Sequence, residues 1–542
     1  MKILIVSEFT GLGTTGYSNY YRQIARGLHD DGHEILELAS YGDQNNPAHV
    51  SYANNCDWKI FLNIPRRDDD QGNALYEQRE KAHGDAKFGA WNYENIMLDF
   101  MPDVVISIRD HWYDRFIVHS PSAKYTTVVL SPTVDSMPQK SEWLETYGKA
   151  NVITTYNEWS QNWLKQQYES RNLVHFIPPC ADDSLKILNT KLCRQKLGLP
   201  TDSKIVGTVM RNQTRKRFPE LFKALAQVDN LYLHCHTGYP DDGWDMPELI
   251  LRNNVQDRVF FTYRCKECNK VSAKLFSGRS TRCDKCGGTK VMPNASVGVT
   301  AEDMAVIFGA MDLYIQPHTA EGFGIPVIEA AKCGIKSAST DYSAQEDIIR
   351  RVGGIPIPPL SLETEIGTTS DRATMDIQKI VEILSDESSY QYNKKDIKEL
   401  YEKNYSWGET IKKWQSLIKT IEHSKTHADK NKWFLNWSPI DVPSLEEIQK
   451  INLTNESYVI YCILNVAQSP DVIGTYLHCK ILDDLNSGEI YIKRSTSTGV
   501  SPYTRENVYR HMLQIRNRVL KWEDLRVQKI KELAQAQGNR MG

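Results

Sequence analysis

Hydrophobic positions along this chain fall into two alternating periods. Short unbroken apolar runs occupy residues 2–6, 35–39, 102–108, 125–130, 151–156 and 174–177. Runs that are apolar on both faces are typical of strands buried inside a parallel sheet. Between the first two runs, Tyr17–Leu28 repeats apolar side chains at helical spacing after a glycine-bearing loop, Glu8 to Gly16. Strand, glycine loop, helix and strand open a doubly wound α/β unit, predicted here over residues 1–180. After Pro178-Pro179, read as a linker, the pattern restarts. Runs at 203–210, 231–235, 259–263, 312–316 and 335–339 predict strands, and 218–228, 302–310, 377–384 and 395–405 predict helices, so a second Rossmann-like unit is expected over 181–422. From 423 to 542 the pattern changes. Trp433-Phe434-Leu435-Asn436-Trp437 is a dense apolar anchor, Val459–Val466 is a strand or a helix, and 503–536 is rich in helix formers and cations. This third segment is predicted to be an α-rich extension of unknown role.

One stretch organises the second unit: Asp312–Gln316 as a strand, then Pro317 to Gly324 as a turn, then a helix starting at Pro326 and ending before Gly334. Glu321 and Glu329 bracket the turn, eight positions apart. A helix start offers unpaired N–H groups and the positive end of the helix dipole to an anion. Carboxylates accept hydrogen bonds from neighbouring hydroxyls. Phosphate plus polyol is therefore the expected ligand chemistry. The run Arg211-Asn-Gln-Thr-Arg215-Lys216-Arg217 follows the strand 203–210 and places four cations at a strand end, a phosphate-site candidate or a solvated basic loop.

The segment Glu321-Gly-Phe-Gly-Ile-Pro-Val-Ile-Glu329 resembles the Glu-x7-Glu signature of retaining glycosyltransferases with the GT-B architecture, family 4 (glycosyl transferases group 1) in particular. The resemblance covers about 1–422. It implies two Rossmann-like domains facing a cleft, an acceptor domain and a nucleotide-sugar domain, with 395–422 crossing back to the first. It implies that Arg211 and Lys216 neutralise the donor diphosphate and that Glu329 holds the ribose hydroxyls. Glu321 with Gly322, Phe323, Gly324 and Ile325 would hold the donor sugar, and the loop carrying Gly13 and Gly16 would lie near the diphosphate. The donor would be a UDP- or GDP-sugar, with no catalytic metal. Many members carry an acceptor-side histidine after the fifth strand. Here that segment is Ser131-Pro-Thr-Val-Asp135, so Asp135 or His111 is left as the acceptor-side group.

Two Cys-x2-Cys pairs, Cys265/Cys268 and Cys283/Cys286, stand fourteen residues apart within 264–290, an insertion the family core lacks. Four thiolates at this spacing predict a closed, structural Zn²⁺ ribbon. Eight cations against two carboxylates make this insertion basic, a possible clamp for nucleic acid or a solubilising protrusion.

Composition adds limits. A 40% hydrophobic and 25% charged chain is ordinary for a globular protein, and a net charge of -3 gives no global pull toward nucleic acid or membrane. No apolar run reaches the length of a membrane span. Eleven cysteines and no signal-peptide pattern point to a reducing cytoplasm. The expected function is sugar transfer to an acceptor hydroxyl, with a hydroxylated base in DNA as one acceptor and a glycan or lipid-linked acceptor as the other. A GT-B sugar-nucleotide epimerase and a zinc-ribbon nucleic-acid-binding protein on an inactive transferase fold are the competing classes.

Overall fold

A computed structural model describes residues 1–12, 16–167, 173–294 and 297–424, and three short strands between 478 and 503. The first sheet has seven strands: β1 (Lys2–Ser7), β2 (Glu34–Asp43), β3 (Lys59–Ile64), β4 (Val104–Ser107), β5 (Thr127–Leu130), β6 (Val152–Thr155) and β7 (Leu173–Phe176). Their spatial order is β3-β2-β1-β4-β5-β6-β7, with every pairing parallel. Ile3, Leu4, Ile5 and Val6 of central β1 are all 1% exposed or less. The order reverses between β1 and β4, so the loops after these two strands flank a crevice at the carboxyl ends.

The second sheet repeats this logic. Its strands are β8 (Lys204–Val209), β9 (Leu231–His236), β10 (Val259–Cys265), β11 (Val271–Leu275), β12 (Ser280–Arg282), β13 (Thr289–Val291), β14 (Leu313–Gln316), β15 (Ser337–Thr340) and β16 (Ile355–Ile357). The order β12-β13-β10-β9-β8-β14-β15-β16, with β11 also on β10, reverses between β8 and β14. Two Rossmann-like sheets with their own switch points form the expected α/β, GT-B architecture. A further hairpin, Pro359–Thr364 with Asp371–Met375, had no counterpart in the sequence reading.

The helix Trp407–Ser424 packs on the helix Gly16–Asp30 of the first half. Trp414 is fully buried and donates its indole N–H to the Tyr20 hydroxyl at 3.1 Å. Gly27 permits this approach, since a Cβ there would lie 2.4 Å from Ile411. Thr410 Oγ1 donates to the Pro178 carbonyl at 2.9 Å, joining the two places where the chain passes between halves. Within the C-terminal extension, His478–Cys479, Ile490–Lys493 and Val500–Tyr503 form a three-stranded sheet. The apolar anchor at 433–437 and the segment 459–466 lie outside the described residues; of the helix-forming stretch 503–536, only Tyr503 is described, and it ends the third strand.

Candidate functional site

The loops after β8 and β14 run side by side. Lys216 and His318 form an antiparallel bridge, Thr319 N donates to the Arg215 carbonyl at 2.9 Å, and Arg217 N donates to that of Pro317 at 3.3 Å. This zipper carries Lys216 Nζ onto Glu321 Oε1, where both side chains are buried. Arg215 Nη1 reaches the same oxygen at 2.8 Å and the Ala320 carbonyl at 3.0 Å. Burial and the neighbouring Arg215 push the Lys216 ammonium well below the ordinary lysine range.

Arg211 is elsewhere. Its guanidinium is half exposed and forks onto Asp241 (2.9 Å) with a further contact to Asp242 (3.0 Å), in the loop after β9. The cation beside Lys216 is thus Arg215, one of the four counted in the basic run but not singled out. Asp241 and Asp242 offer Arg211 a carboxylate pair, and a bidentate fork favours that geometry.

His318 was also missed. It is fully buried beside these cations, and neither ring nitrogen has a hydrogen-bond partner in the described structure. Burial, Lys216 and Arg215 hold it well below the ordinary histidine range, so the ring is neutral and has one donor and one acceptor to offer.

The turn Glu321–Gly324 closes the site from below. Glu321 N donates to Ser343 Oγ at 2.9 Å. Gly324 sits at φ 82° as the N-cap of the helix Ile325–Lys332. A side chain there would meet Gln345 Nε2 at 2.3 Å and Gln316 Nε2 at 3.1 Å, so both backbone and space demand glycine. Phe323 turns its ring into the core against Tyr405, which leaves only its backbone for a ligand. Ile325 packs on Gly16, where a Cβ would stand 2.4 Å from its Cδ1; Gly13 lies outside the described residues. Glu329, one turn into the helix Ile325–Lys332, is pushed up to about 7, first by burial and then by Asp182.

The first half faces these cations with acids. Asp110, at the start of the helix His111–Val118, is pushed up to about 7 by burial and by Asp135, against a Thr133 hydrogen bond that lowers it. Tyr17 hydrogen-bonds Thr133. Asp135 pairs with Arg372 of the second half at 2.9 Å. Asp135, Tyr17 and Asp110 all act electrostatically on Arg215. His111 instead packs its ring on Trp143, 4.3 Å between centroids, and burial pushes it down to about 3. Asp110, next to His111 in the sequence and not singled out there, stands close enough to Asp135 to be raised by its charge.

The four cysteines converge. Their sulfurs lie within 4.8 Å of one another, with Cys265 to Cys286 at 3.5 Å and Cys268 to Cys283 at 3.7 Å. A tetrahedron built on metal–sulfur bonds of about 2.3 Å has edges of about 3.8 Å, so this donor set fits Zn²⁺. Gly287, at φ 74°, and Gly288, where a Cβ would lie 2.2 Å from Glu267, form the knuckle turn. The ribbon grows directly from the sheet, since β13 pairs with β10 through Cys265↔Lys290. Its surface charge is smaller than the sequence count suggested. Lys290 is fully buried on Ser272 (2.9 Å) and Asp284, and Lys270 takes the other Asp284 oxygen at 2.7 Å.

No family model matches the sequence. No curated protein matches it either. Solved structures do. Sucrose-phosphate synthase from Thermosynechococcus elongatus superposes with a TM-score of 0.56 at 17% identity, covering 78% of this chain and 99% of that one. A glycosyltransferase from Rickettsia africae gives 0.52 at 14%, covering 78% and 99%. Anabaena HepE in complex with UDP-glucose gives 0.52 at 14%, covering 78% and 100%. These likenesses establish a shared fold.

Proposed function

We propose that the chain is a retaining glycosyltransferase moving a hexosyl or pentosyl unit from a UDP- or GDP-sugar to an acceptor hydroxyl. The observation that carries this reading is the convergence of Arg215 and Lys216 on Glu321, at the start of a helix and at the second switch point. Glycosyltransferases of the same fold, one of them holding UDP-glucose, support the donor class.

In this scheme Arg215 and Lys216 pass from Glu321 to the diphosphate. The bond from the anomeric carbon to the phosphate oxygen breaks with its electron pair leaving on that oxygen. The two cations and the helix start stabilise the charge that builds there. Glu321, released, and neutral His318 bond hydroxyls of the donor sugar. Glu329 takes the ribose hydroxyls. Asp135 orients the acceptor hydroxyl, whose oxygen bonds the anomeric carbon as the phosphate leaves, and ionised Asp110, with a pKa raised to about 7, accepts the hydroxyl proton. Zn²⁺ held by the four cysteines stiffens the ribbon, and such thiolates belong to a reducing compartment such as the cytoplasm. Among the described residues no helix is long and apolar enough to cross a membrane.

The test is hydrolysis of a panel of UDP- and GDP-sugars by the wild-type protein and by Lys216→Ala and Glu329→Ala. One donor is expected to be turned over and both variants to lose activity. Unchanged turnover in both would sink the assignment.

A further inference from the structure

A second cavity lies beside the acceptor side of the cleft. It has a volume of about 580 Å³, within the range of small-molecule sites. Trp159 and Trp163 come from the helix Glu158–Gln167, Tyr342 from the loop after β15, and Asp341, Glu346 and Asp371 add carboxylates. The two halves of the molecule both contribute walls. The wall of the cavity is tied to the proposed acceptor group: Asp371 N donates to the Met137 carbonyl at 2.7 Å, and the next residue, Arg372, pairs with Asp135.

The lining selects a ligand. Indole faces carry partial negative charge and lie well against the weakly positive C–H faces of a sugar ring. Carboxylates accept from its hydroxyls. Trp163 is 42% exposed, so its ring is open to a partner. Trp159 is nearly buried and stands at 6.0 Å from Tyr342, edge to face, forming a fixed wall behind it. The charge balance disfavours a nucleic-acid strand. The single lining guanidinium, Arg350, is committed to Asp341 through two bonds of 2.5 and 2.7 Å, so phosphates entering here would meet three carboxylates, Asp341, Glu346 and Asp371, and one cation already in use.

We propose that this cavity binds a pyranose ring of a carbohydrate acceptor, one unit back from the hydroxyl presented to Asp135. The role as an acceptor subsite rests on the transferase reading; the binding itself does not, and can be read without a donor.

The full-length protein is titrated with maltose, cellobiose and lactose, followed by tryptophan fluorescence and calorimetry, and separately with UDP. At least one disaccharide is expected to bind saturably with a Kd of about 1 mM. Trp163→Ala is expected to weaken that binding roughly tenfold, or about 1.4 kcal/mol. Glu346→Gln, which keeps the side chain's size, should weaken it severalfold. UDP affinity should stay unchanged in both variants. The proposal is overturned if no disaccharide saturates at tens of millimolar, if both variants bind as wild type does, or if a short single-stranded oligodeoxynucleotide binds in its place and loses affinity on Trp163→Ala. Saccharide binding without any UDP binding would remove the transferase reading and leave the cavity assignment standing.

Discussion

Gly322→Ala tests whether the donor turn and the acceptor loop are held in contact. The added methyl would lie 2.3 Å from Thr133 Cγ2, against the 3.4 Å at which ordinary contact begins, so the two loops must part by about 1.1 Å. Thr133 has little freedom to swing aside, because its hydroxyl is tied to Tyr17. The turn is held from the other side by Asn157 Nδ2, which donates to the Gly322 carbonyl at 2.8 Å. Forcing atoms into such a contact costs about 1–3 kcal/mol. A displacement near 1 Å at a positioning element lowers turnover by about 10²-fold. Thr133→Ser removes Cγ2 and keeps the hydroxyl. The next threonine atom, Cβ, is 3.7 Å away, an ordinary contact. The double variant should therefore recover both losses. Thermal unfolding and donor hydrolysis on the four proteins of the cycle measure this, with an expected favourable coupling of about 1–3 kcal/mol. A double variant as impaired as Gly322→Ala, or a Gly322→Ala protein indistinguishable from wild type, refutes the reasoning.

Two further outcomes follow from the site chemistry. Purified protein should release about one Zn²⁺ per chain to a chelator, with a fall in melting temperature, and Cys286→Ser, at the exposed corner of the cluster, should weaken retention of the metal; protein prepared without metal that melts at the same temperature would contradict the structural role. Asp110 has a folded-state pKa raised to about 7, so its contribution to stability is fully present below the unfolded carboxylate range near 4 and is lost as pH rises through about 7. Asp110→Asn should accordingly be more stable than wild type at pH ~8 and should lose that advantage by pH ~4, as read from unfolding at both values; a difference independent of pH would show that folding does not raise the Asp110 pKa.

The parts of the fold that could be read from sequence are those fixed by local pattern. Doubly buried strands such as β1 and β14 announce themselves as unbroken apolar runs, and the Glu321–Glu329 turn and the cysteine pairs carry their chemistry in their spacing. Strand Pro359–Thr364 of the hairpin was not read, because it is exposed along almost its whole length and carries no strong apolar period; β3 was not read although Ile60, Phe61 and Leu62 form a short apolar run. Which arginine stands beside Lys216 was beyond local pattern too. Asp241 and Asp242, about thirty residues away in sequence, pair with Arg211, while Arg215 reaches Glu321. His318 and Asp110 gave no signal because a lone histidine or aspartate at a strand end acquires meaning only from what the opposite loop brings to it.

The helix Trp407–Ser424 also sets an order of events during synthesis. The first half is made first, yet the helix Gly16–Asp30 remains without the buried Trp414, Leu417, Ile418 and Ile421 until nearly all of the second half has left the ribosome. Tyr20, Ile24 and Leu28 belong to the same core as those late residues, so the nascent amino-terminal half carries an open apolar seam throughout elongation. The docking of this helix then seals it, making completion of the opening domain a report that the second has already been translated.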